Sequence, residues 1–560
     1  MLPSRSASSF SIPLWLVWAA ALGSVLIGLG SYGLLNNNEG LYAEIPREMI
    51  AANDWRQWII PHLNGLPYME KPPLLYWLTA LSFLLFGESE WSARLVPALS
   101  SLACVAMLTG FGKTAGRPQA GRLAALMFAT GLGVFAMSRV LMFDMLLTAL
   151  LAAALMLAYR YAIERRLRLL GWAYGLLALA VLAKGFVALI LFGLVVAAFE
   201  LSAARSPRQF LLGCGKWFEW RALAVFVAVA APWHVAASLT EPAFAWFYFV
   251  NEHVLRFLGR REPHDYYAGA WWYYLPRMAI YLFPWSFLLP CLLARNAASA
   301  TAPAPGFKRF LLIAWLLPLA FFSVSSAKAN YYLVAVMPFA ALYLAVALEE
   351  RGFLQGGVGA LPGLLIGAGA AALCVAFALR PPTESSVAFL GFSQQQFVAI
   401  ALAALAVLAL AAALVAWRSA RIGILAYLAL PALTATVLGI AIIPLEPGVS
   451  ARPLAQYLQR EQPARQVYLF RKFEEMSSLP FYLKHPVAVI DSESADLFWG
   501  DRLRPGNRIT LSSAQFEQDL RRQAVAVVVK NRQLEEFGAT AYFKQFTAQR
   551  RIGDSTVFFN

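Results

Sequence analysis

Apolar runs of about 20 residues, each long enough to cross a hydrocarbon core, recur from residue 11 to about residue 444. They fall at 11–35, 90–112, 119–138, 142–160, 168–183, 185–201, 220–240, 272–294, 309–326, 330–349, 358–380, 393–417 and 421–444, and predict about 13 membrane-crossing helices. The loop 36–89 between the first two runs is more than a connector. In its segment 41–53, Leu41, Ile45, Met49 and Ile50 share one face while Glu44, Arg47 and Glu48 fall elsewhere, as in a helix lying on the membrane interface. The run 73–87 is short for a crossing and reads as a second interfacial or re-entrant helix. Beyond residue 445 the pattern changes. "SARPLAQYLQRE", "SSLPFYLKH" and "SSAQFEQDLRR" read as helices, the last with a serine cap, and "QVYLFR", "VAVID" and "AVAVVVK" read as strands. The expectation is a membrane body over 1–445 and a small α/β domain over 446–560.

Charge orients the spans. Lys and Arg cluster in alternate loops: Lys113/Arg117/Arg122, Arg160/Arg165/Arg166/Arg168, Arg205/Arg208/Lys216/Arg221, Arg295/Lys308/Arg309 and Arg418/Arg421. The positive-inside rule makes these loops cytoplasmic. Loops 36–89 and 241–271 and the tail then share the opposite side. A chain that is 60% hydrophobic and 14% charged, with mean hydropathy +0.60, has too little polar surface to be a water-soluble globule. The net charge of +15 is largely absorbed by the cytoplasmic loop ends and a basic tail, so no nucleic-acid partner is expected. Cys104, Cys214, Cys291 and Cys374 lie in or beside spans and the tail has none, so no disulfide framework is expected there. The first apolar run is long enough to span and lacks a small-residue cleavage site before "NNNEG", so no cleavable signal peptide is expected.

The outer loops and turns carry the candidate chemistry: Glu39, Glu44, Glu70, Asp144 and Glu252; Arg47, Lys71, Arg139, Arg256 and Lys328; His253 and His264; Tyr68, Tyr331 and Tyr332. In "YMEKPPLLYW", Lys71 stands where a cation can neutralise a lipid-linked phosphate beside the hydrocarbon, and the prolines turn the chain back into the membrane. Glu70 reads in two ways: as a ligand, with His253, for a divalent cation such as Zn or Mn, or as the partner of a cationic substrate group. Glu252, His253 and Arg256 converge on one side of a helix. Plainer readings stand beside these. Glu70–Lys71 is also a snorkelling interfacial pair, Arg139–Asp144 a salt bridge closing a tight turn, and His62 and His264 loop histidines. Ionisable groups gathered at one surface, with no half-to-half repeat, favour a transferase over the alternative of a lipid-linked sugar transporter.

The ordered motifs "EGLYAEIPREM", "GLPYMEKPPLLYW", "SRVLMFDMLLT", "NEHVLRF" with "REPHDYY", and "SSAKANYYLVAVMPFAAL" cover both outer loops and several spans. In them the chain resembles the bacterial integral-membrane glycosyltransferases of the GT-C class, within the protein-mannosyltransferase superfamily. The nearest resemblance is to the lipid A 4-amino-4-deoxy-L-arabinose transferases. That resemblance implies an α-helical polytopic fold of GT-C type with a small C-terminal periplasmic α/β domain, in the bacterial inner membrane with the active site facing the periplasm. It implies transfer of the aminopentose from undecaprenyl phosphate to a lipid A phosphate, giving resistance to polymyxin and cationic peptides. The runner-up is a polyprenyl-phosphate-sugar transferase acting on protein or another glycan. By similarity, Lys71 and Arg256 hold the donor phosphate, helped by Tyr68, Tyr331, Arg139 and Lys328, and Asp144 sits near the donor. Glu70 with His253, or with His264 in second place, forms a metal or sugar site. Relatives commonly carry an Asp-Glu pair at the start of the first outer loop, whereas this chain reads Asn38-Glu39, so a carboxylate base in that loop must be Glu39.

Overall fold

The structure is a computed structural model that describes residues 11–264, 267–293, 306–351, 360–379, 388–389, 392–418, 423 and 426–560. Among the described residues, eight helices are long and apolar enough to cross a membrane, and Leu14–Leu26, Leu74–Phe86, Val187–Ala203 and Gly363–Ala378 are shorter apolar helices. Among the described residues, each apolar run read from the sequence coincides with a helix or a broken helix, and 73–87 becomes the 13-residue helix Leu74–Phe86. Among the described residues some of these runs are broken. The run 119–138 is divided at Gly131 into Pro118–Thr130 and Leu132–Met137. The run 272–294 gives the helix Tyr274–Leu282 and then, past Pro284, the 3₁₀ segment Trp285–Leu293, because proline cannot continue the α-helical ladder.

Small residues let spans approach backbone to backbone. A Cβ added to Gly112 would lie 2.5 Å from the Gly121 Cα, so Glu90–Thr114 and Pro118–Thr130 meet with no room for a side chain.

The Asn38–Ala51 helix departs from its expected surface position. Its residues Glu39 to Met49 are all buried, including Glu44, Arg47 and Glu48. The apolar face lies on the membrane body as its spacing predicts, and the tail covers the other face. A Cβ on Gly40 would come 2.4 Å from the Ser478 backbone nitrogen, and Arg47 pairs with Glu44 at 2.6 Å while donating to the Lys484 carbonyl.

The tail is organised on a six-stranded sheet. Its strand order is Thr510–Leu511, Ala488–Ile490, Gln466–Phe470, Val525–Lys530, Ser555–Phe559, Ala548–Ile552. The first four strands run parallel and the last two pair antiparallel. Near-continuous burial of "VYLF" and "VAVVVK" matches a parallel sheet covered on both faces. Ser512 caps the Ser513–Leu520 helix through a reciprocal capping box with Gln515. The tail is stitched to the first outer loop by paired hydrogen bonds between Asn64 and Val487, at 2.8 and 2.7 Å.

Candidate active site

A cavity of about 760 Å³ opens where the two outer loops meet the ends of several spans, within the size range of small-molecule sites. Its polar wall comprises Glu70, Lys71, Asp144, Lys184, Glu252, His253 and Arg256, and Tyr42, Tyr248, Tyr331 and Tyr332 add hydroxyl-bearing rings. Much of the rest is apolar, including Leu147, Val187, Ile190, Val254, Phe257, Leu258 and Phe321. A charged end joined to a greasy wall suits an amphiphile with a polar head and a long hydrocarbon chain.

Local sequence explains how each charged group reaches the wall. Pro72 and Pro73 follow Lys71 directly, and the Leu74–Phe86 helix starts only after them, so Glu70 and Lys71 stay outside the helix. Asp144 lies in the first turn of the Phe143–Glu164 helix, where a carboxylate complements the dipole. Lys184 ends the Leu167–Lys184 helix, where a cation does the same. Residues Trp246–Leu255 form a π-helix, a local widening often found at functional sites, which presents Glu252 and His253 together.

Two ion clusters result. In the first, Glu252 is the hub: Arg256 Nη1 donates to its Oε2 at 2.9 Å, Lys71 Nζ lies 3.6 Å from the same oxygen, and Arg261 Nε donates to Oε1. Arg261 also reaches Glu70 Oε1 at 2.8 Å, and Lys71 Nζ stands 3.7 Å from Glu70 Oε2. Burial opposes ionisation of Glu252, but Lys71, Arg261 and Arg256 outweigh it and hold its carboxyl well below the ordinary carboxylate range. In the second cluster, Lys184 donates to Asp144 and lies over the rings of Tyr331 and Tyr332, 5.1 and 4.8 Å from their centroids.

The structure therefore brings Glu70, Lys71, Asp144, Glu252, His253, Arg256 and Tyr331 to one wall. Asp144 pairs with Lys184, which replaces the expected local bridge to Arg139. Besides His264, four other expected site residues lie off the cavity lining. Glu39 is engaged by Arg94 at 2.8 Å, with both side chains fully buried. Arg139 donates to the Ser24 and Val25 carbonyls and fastens the end of the first span. Lys328 spends its ammonium on the carbonyls of Phe322, Ser323 and Ser325, at 3.1, 2.6 and 2.6 Å. Tyr68 is buried, and burial together with the carboxylates of Glu70 and Asp496 holds its phenol well above the ordinary range.

The expected cation site does not fit its residues. Tyr248 O accepts from His253 Nδ1 at 2.6 Å, and the Phe186 N–H donates to Nε2 at 3.2 Å, so no lone pair is left for a metal. Glu70 faces Arg261 and Lys71, and His264 is exposed in the loop beyond. No group of three or more His, Cys, Asp or Glu able to hold a metal occurs among the described residues.

Two residues of these clusters are not marked as site residues by the sequence pattern. Arg261 carries no periodic signal, although its doubled arginine beside an aromatic loop on the outer side is a usable one. Lys184 sits in "LAKGF", a lone cation at the end of an apolar run. Gly185 explains that motif: at φ +88°, a Cβ there would lie 2.7 Å from His253 Nε2.

Comparison with known proteins agrees with this geometry. The family model described as dolichyl-phosphate-mannose-protein mannosyltransferase matches residues 70–248. The fold is that of the crystal structure of ArnT from Cupriavidus metallidurans bound to undecaprenyl phosphate, with TM-score 0.80 and 23% identity over 98% of this chain and 97% of that one. The apo structure of the same protein matches with TM-score 0.76, at 22% identity and the same coverage of both chains. The molecule thus has the fold of that structure and the make-up of a multi-pass membrane protein.

Among curated proteins, the chain is similar to the undecaprenyl phosphate-alpha-4-amino-4-deoxy-L-arabinose arabinosyl transferase of Pseudomonas paraeruginosa, with 35% identity over 337 residues, 58% of each chain. It is also similar to transferase 1 of that name from Sodalis glossinidius, with 35% identity over 58% of this chain and 57% of the relative. The chain spans 58% of the length of the first of these relatives. The resemblance drawn from "YMEKPPLLYW" and its companion motifs is borne out.

Proposed function

We propose that this chain transfers 4-amino-4-deoxy-L-arabinose from undecaprenyl phosphate to a phosphate of lipid A. The observation that carries the reading is the convergence of Lys71 and Arg256 on Glu252 at the mouth of an apolar-walled cavity. An incoming lipid-linked phosphate competes with Glu252 for both cations, while Glu252 retains Arg261 and so stays paired when it yields them. The 3.6 Å separation of Lys71 from Glu252 marks this cation as the looser of the two.

In the reaction, an oxygen of the acceptor phosphate forms a bond to the anomeric carbon. The bond from that carbon to the donor phosphate oxygen breaks, and its electron pair leaves with undecaprenyl phosphate. An anionic acceptor needs no proton removed, so a general base contributes little. Charge grows instead on the leaving phosphate, where Lys71 and Arg256 bind it better in the transition state than in the ground state. The Asp144–Lys184 pair, facing the same cavity, orients the donor sugar. The charge distribution of the loops supports a site on the periplasmic side of the inner membrane, with the tail on that side.

The test is mass spectrometry of lipid A from a polymyxin-sensitive strain lacking its own transferase, complemented with the wild type or with Lys71→Ala at equal membrane expression. A pentosamine increment present with wild type and absent with Lys71→Ala is expected. No increment from a well-expressed wild type overturns the lipid A assignment and redirects the search to protein or glycan acceptors.

A further inference from the structure

The short helix Phe498–Leu503 of the tail touches both outer loops beside the cavity. On one side, Trp499 Nε1 donates to the Glu262 carbonyl at 2.9 Å. That carbonyl also accepts from Asn251 Nδ2 at 2.8 Å, and the Glu262 N–H donates back to Asn251 Oδ1 at 3.0 Å. Asn251 precedes Glu252, and Glu262 follows Arg261, so this one knot fixes the two residues that organise Lys71 and Arg256. The Trp499 ring also packs on Phe247 and Trp246 of the π-helix, at 5.3 and 5.8 Å between centroids. On the other side, a Cβ on Gly500 would lie 2.7 Å from Leu66 Cβ and 2.9 Å from the Pro67 carbonyl, immediately ahead of Glu70 and Lys71. Arg504 closes the contact with an ion pair to Glu241 at 3.0 Å.

We infer that this tail helix is a clamp that sets the spacing between Lys71 and the Glu252–Arg256–Arg261 group, with Trp499 and Gly500 as its positioning residues. The inference rests on the proposed role of Lys71 and Arg256 in holding the donor phosphate. The two contacts are independent: an indole N–H holds the second loop, and a missing side chain admits the first. A tail that merely capped the membrane body would need neither a donor aimed at the carbonyl beside Arg261 nor a glycine against the strand that leads to Lys71.

The experiment uses the full-length protein in lipid nanodiscs, with undecaprenyl phosphate as the probe. Trp499→Phe keeps the ring and removes the hydrogen bond, Trp499→His restores a ring N–H, and Gly500→Val wedges the first loop. The clamp predicts that Trp499→Phe weakens undecaprenyl phosphate binding by about three- to ten-fold, the equivalent of one hydrogen bond, with the thermal midpoint unchanged and affinity partly recovered in Trp499→His. It also predicts that Trp499→Phe has no further effect in a Lys71→Ala background, because Arg256 then grips alone and there is no spacing between two cations left to set. Wild-type affinity in both Trp499→Phe and Gly500→Val overturns the clamp and leaves the phosphate site intact. An equal effect of Trp499→Phe with and without Lys71 overturns it too, in favour of a plain structural contact. Absence of undecaprenyl phosphate binding by the wild type sinks the reading of the phosphate site itself.

Discussion

Glu39 and Arg94 form a doubly hydrogen-bonded pair, at 2.8 and 2.9 Å, with neither side chain exposed. The guanidinium also donates to the carbonyls of Leu29, Tyr32 and Gly33, and the carboxylate accepts from the Leu35 and Leu141 N–H groups. One pair therefore joins the end of the first span, the start of the Asn38–Ala51 helix, the Glu90–Thr114 span and the turn before Asp144. Removing either partner leaves an uncompensated buried charge, which costs about 3–5 kcal/mol. Glu39→Ala and Arg94→Ala are expected to lose folded protein in a detergent thermal-shift assay. A Glu39→Ala protein with normal stability and lost turnover would return Glu39 to a catalytic role.

Lys71 and Arg256 are expected to behave oppositely. Lys71→Ala and Arg256→Ala leave Glu252 paired with Arg261, so folding survives. Turnover falls by about 10²–10³ for each, the usual loss on removing one preorganised group that stabilises transition-state charge. A thermal midpoint near wild type with lost turnover is the expected result; equal loss of both would make these side chains structural.

Glu48 supplies a pH signature. Burial, followed by the charge of Glu44, raises its folded pKa well above the ordinary value, and its Oε2 accepts from the Gly65 N–H at 3.0 Å. A carboxyl raised on folding binds its proton more tightly in the folded state. It therefore favours folding below that raised pKa, and the advantage is lost as pH climbs from the unfolded value through the folded one. Glu48→Gln, which mimics the protonated form, is expected to hold its thermal midpoint over pH 5–8 while the wild-type midpoint falls. Parallel profiles would sink the assignment.

Gly185 makes the sharpest steric prediction. Gly185→Ala demands a positive φ of a residue with a Cβ and drives that atom into His253 Nε2, at a cost of about 1–3 kcal/mol. Because Lys184 precedes it, turnover should fall more than stability. A fully active Gly185→Ala would show that the turn has room to move.

Chelators provide a further check. With both His253 nitrogens engaged and Glu70 facing Arg261 and Lys71, dialysis against EDTA is expected to leave the transfer rate unchanged. A rate that falls and returns with added Zn or Mn would restore the cation site.

The spans were legible because a bilayer imposes one length and one polarity on each, and "VAVVVK" was legible because a buried strand needs a continuous apolar run. Lys71, Arg256 and Asp144 stood out as charges at the edges of apolar segments. Arg139 and Lys328 stood out for the same reason, yet both donate to carbonyls at helix ends, and sequence does not record which carbonyls a fold leaves unsatisfied. The burial of Glu44, Arg47 and Glu48 was hidden because the surface that covers them comes from the tail, more than 400 positions away. Arg261 lacked periodicity because it lies in an irregular loop whose shape is set by Asn251 and Trp499.

The covering of the Asn38–Ala51 helix has a consequence for biogenesis. Its second face is closed by Ser478 and Lys484, which the ribosome makes long after the helix itself has been delivered. Until then Glu44, Arg47 and Glu48 stand in water, and the loop leading to Lys71 lacks its support from Val487 and Gly500. A chain stalled or cut short before the tail would carry every membrane span and still present no finished cavity, so completion of synthesis is itself the step that arms the site.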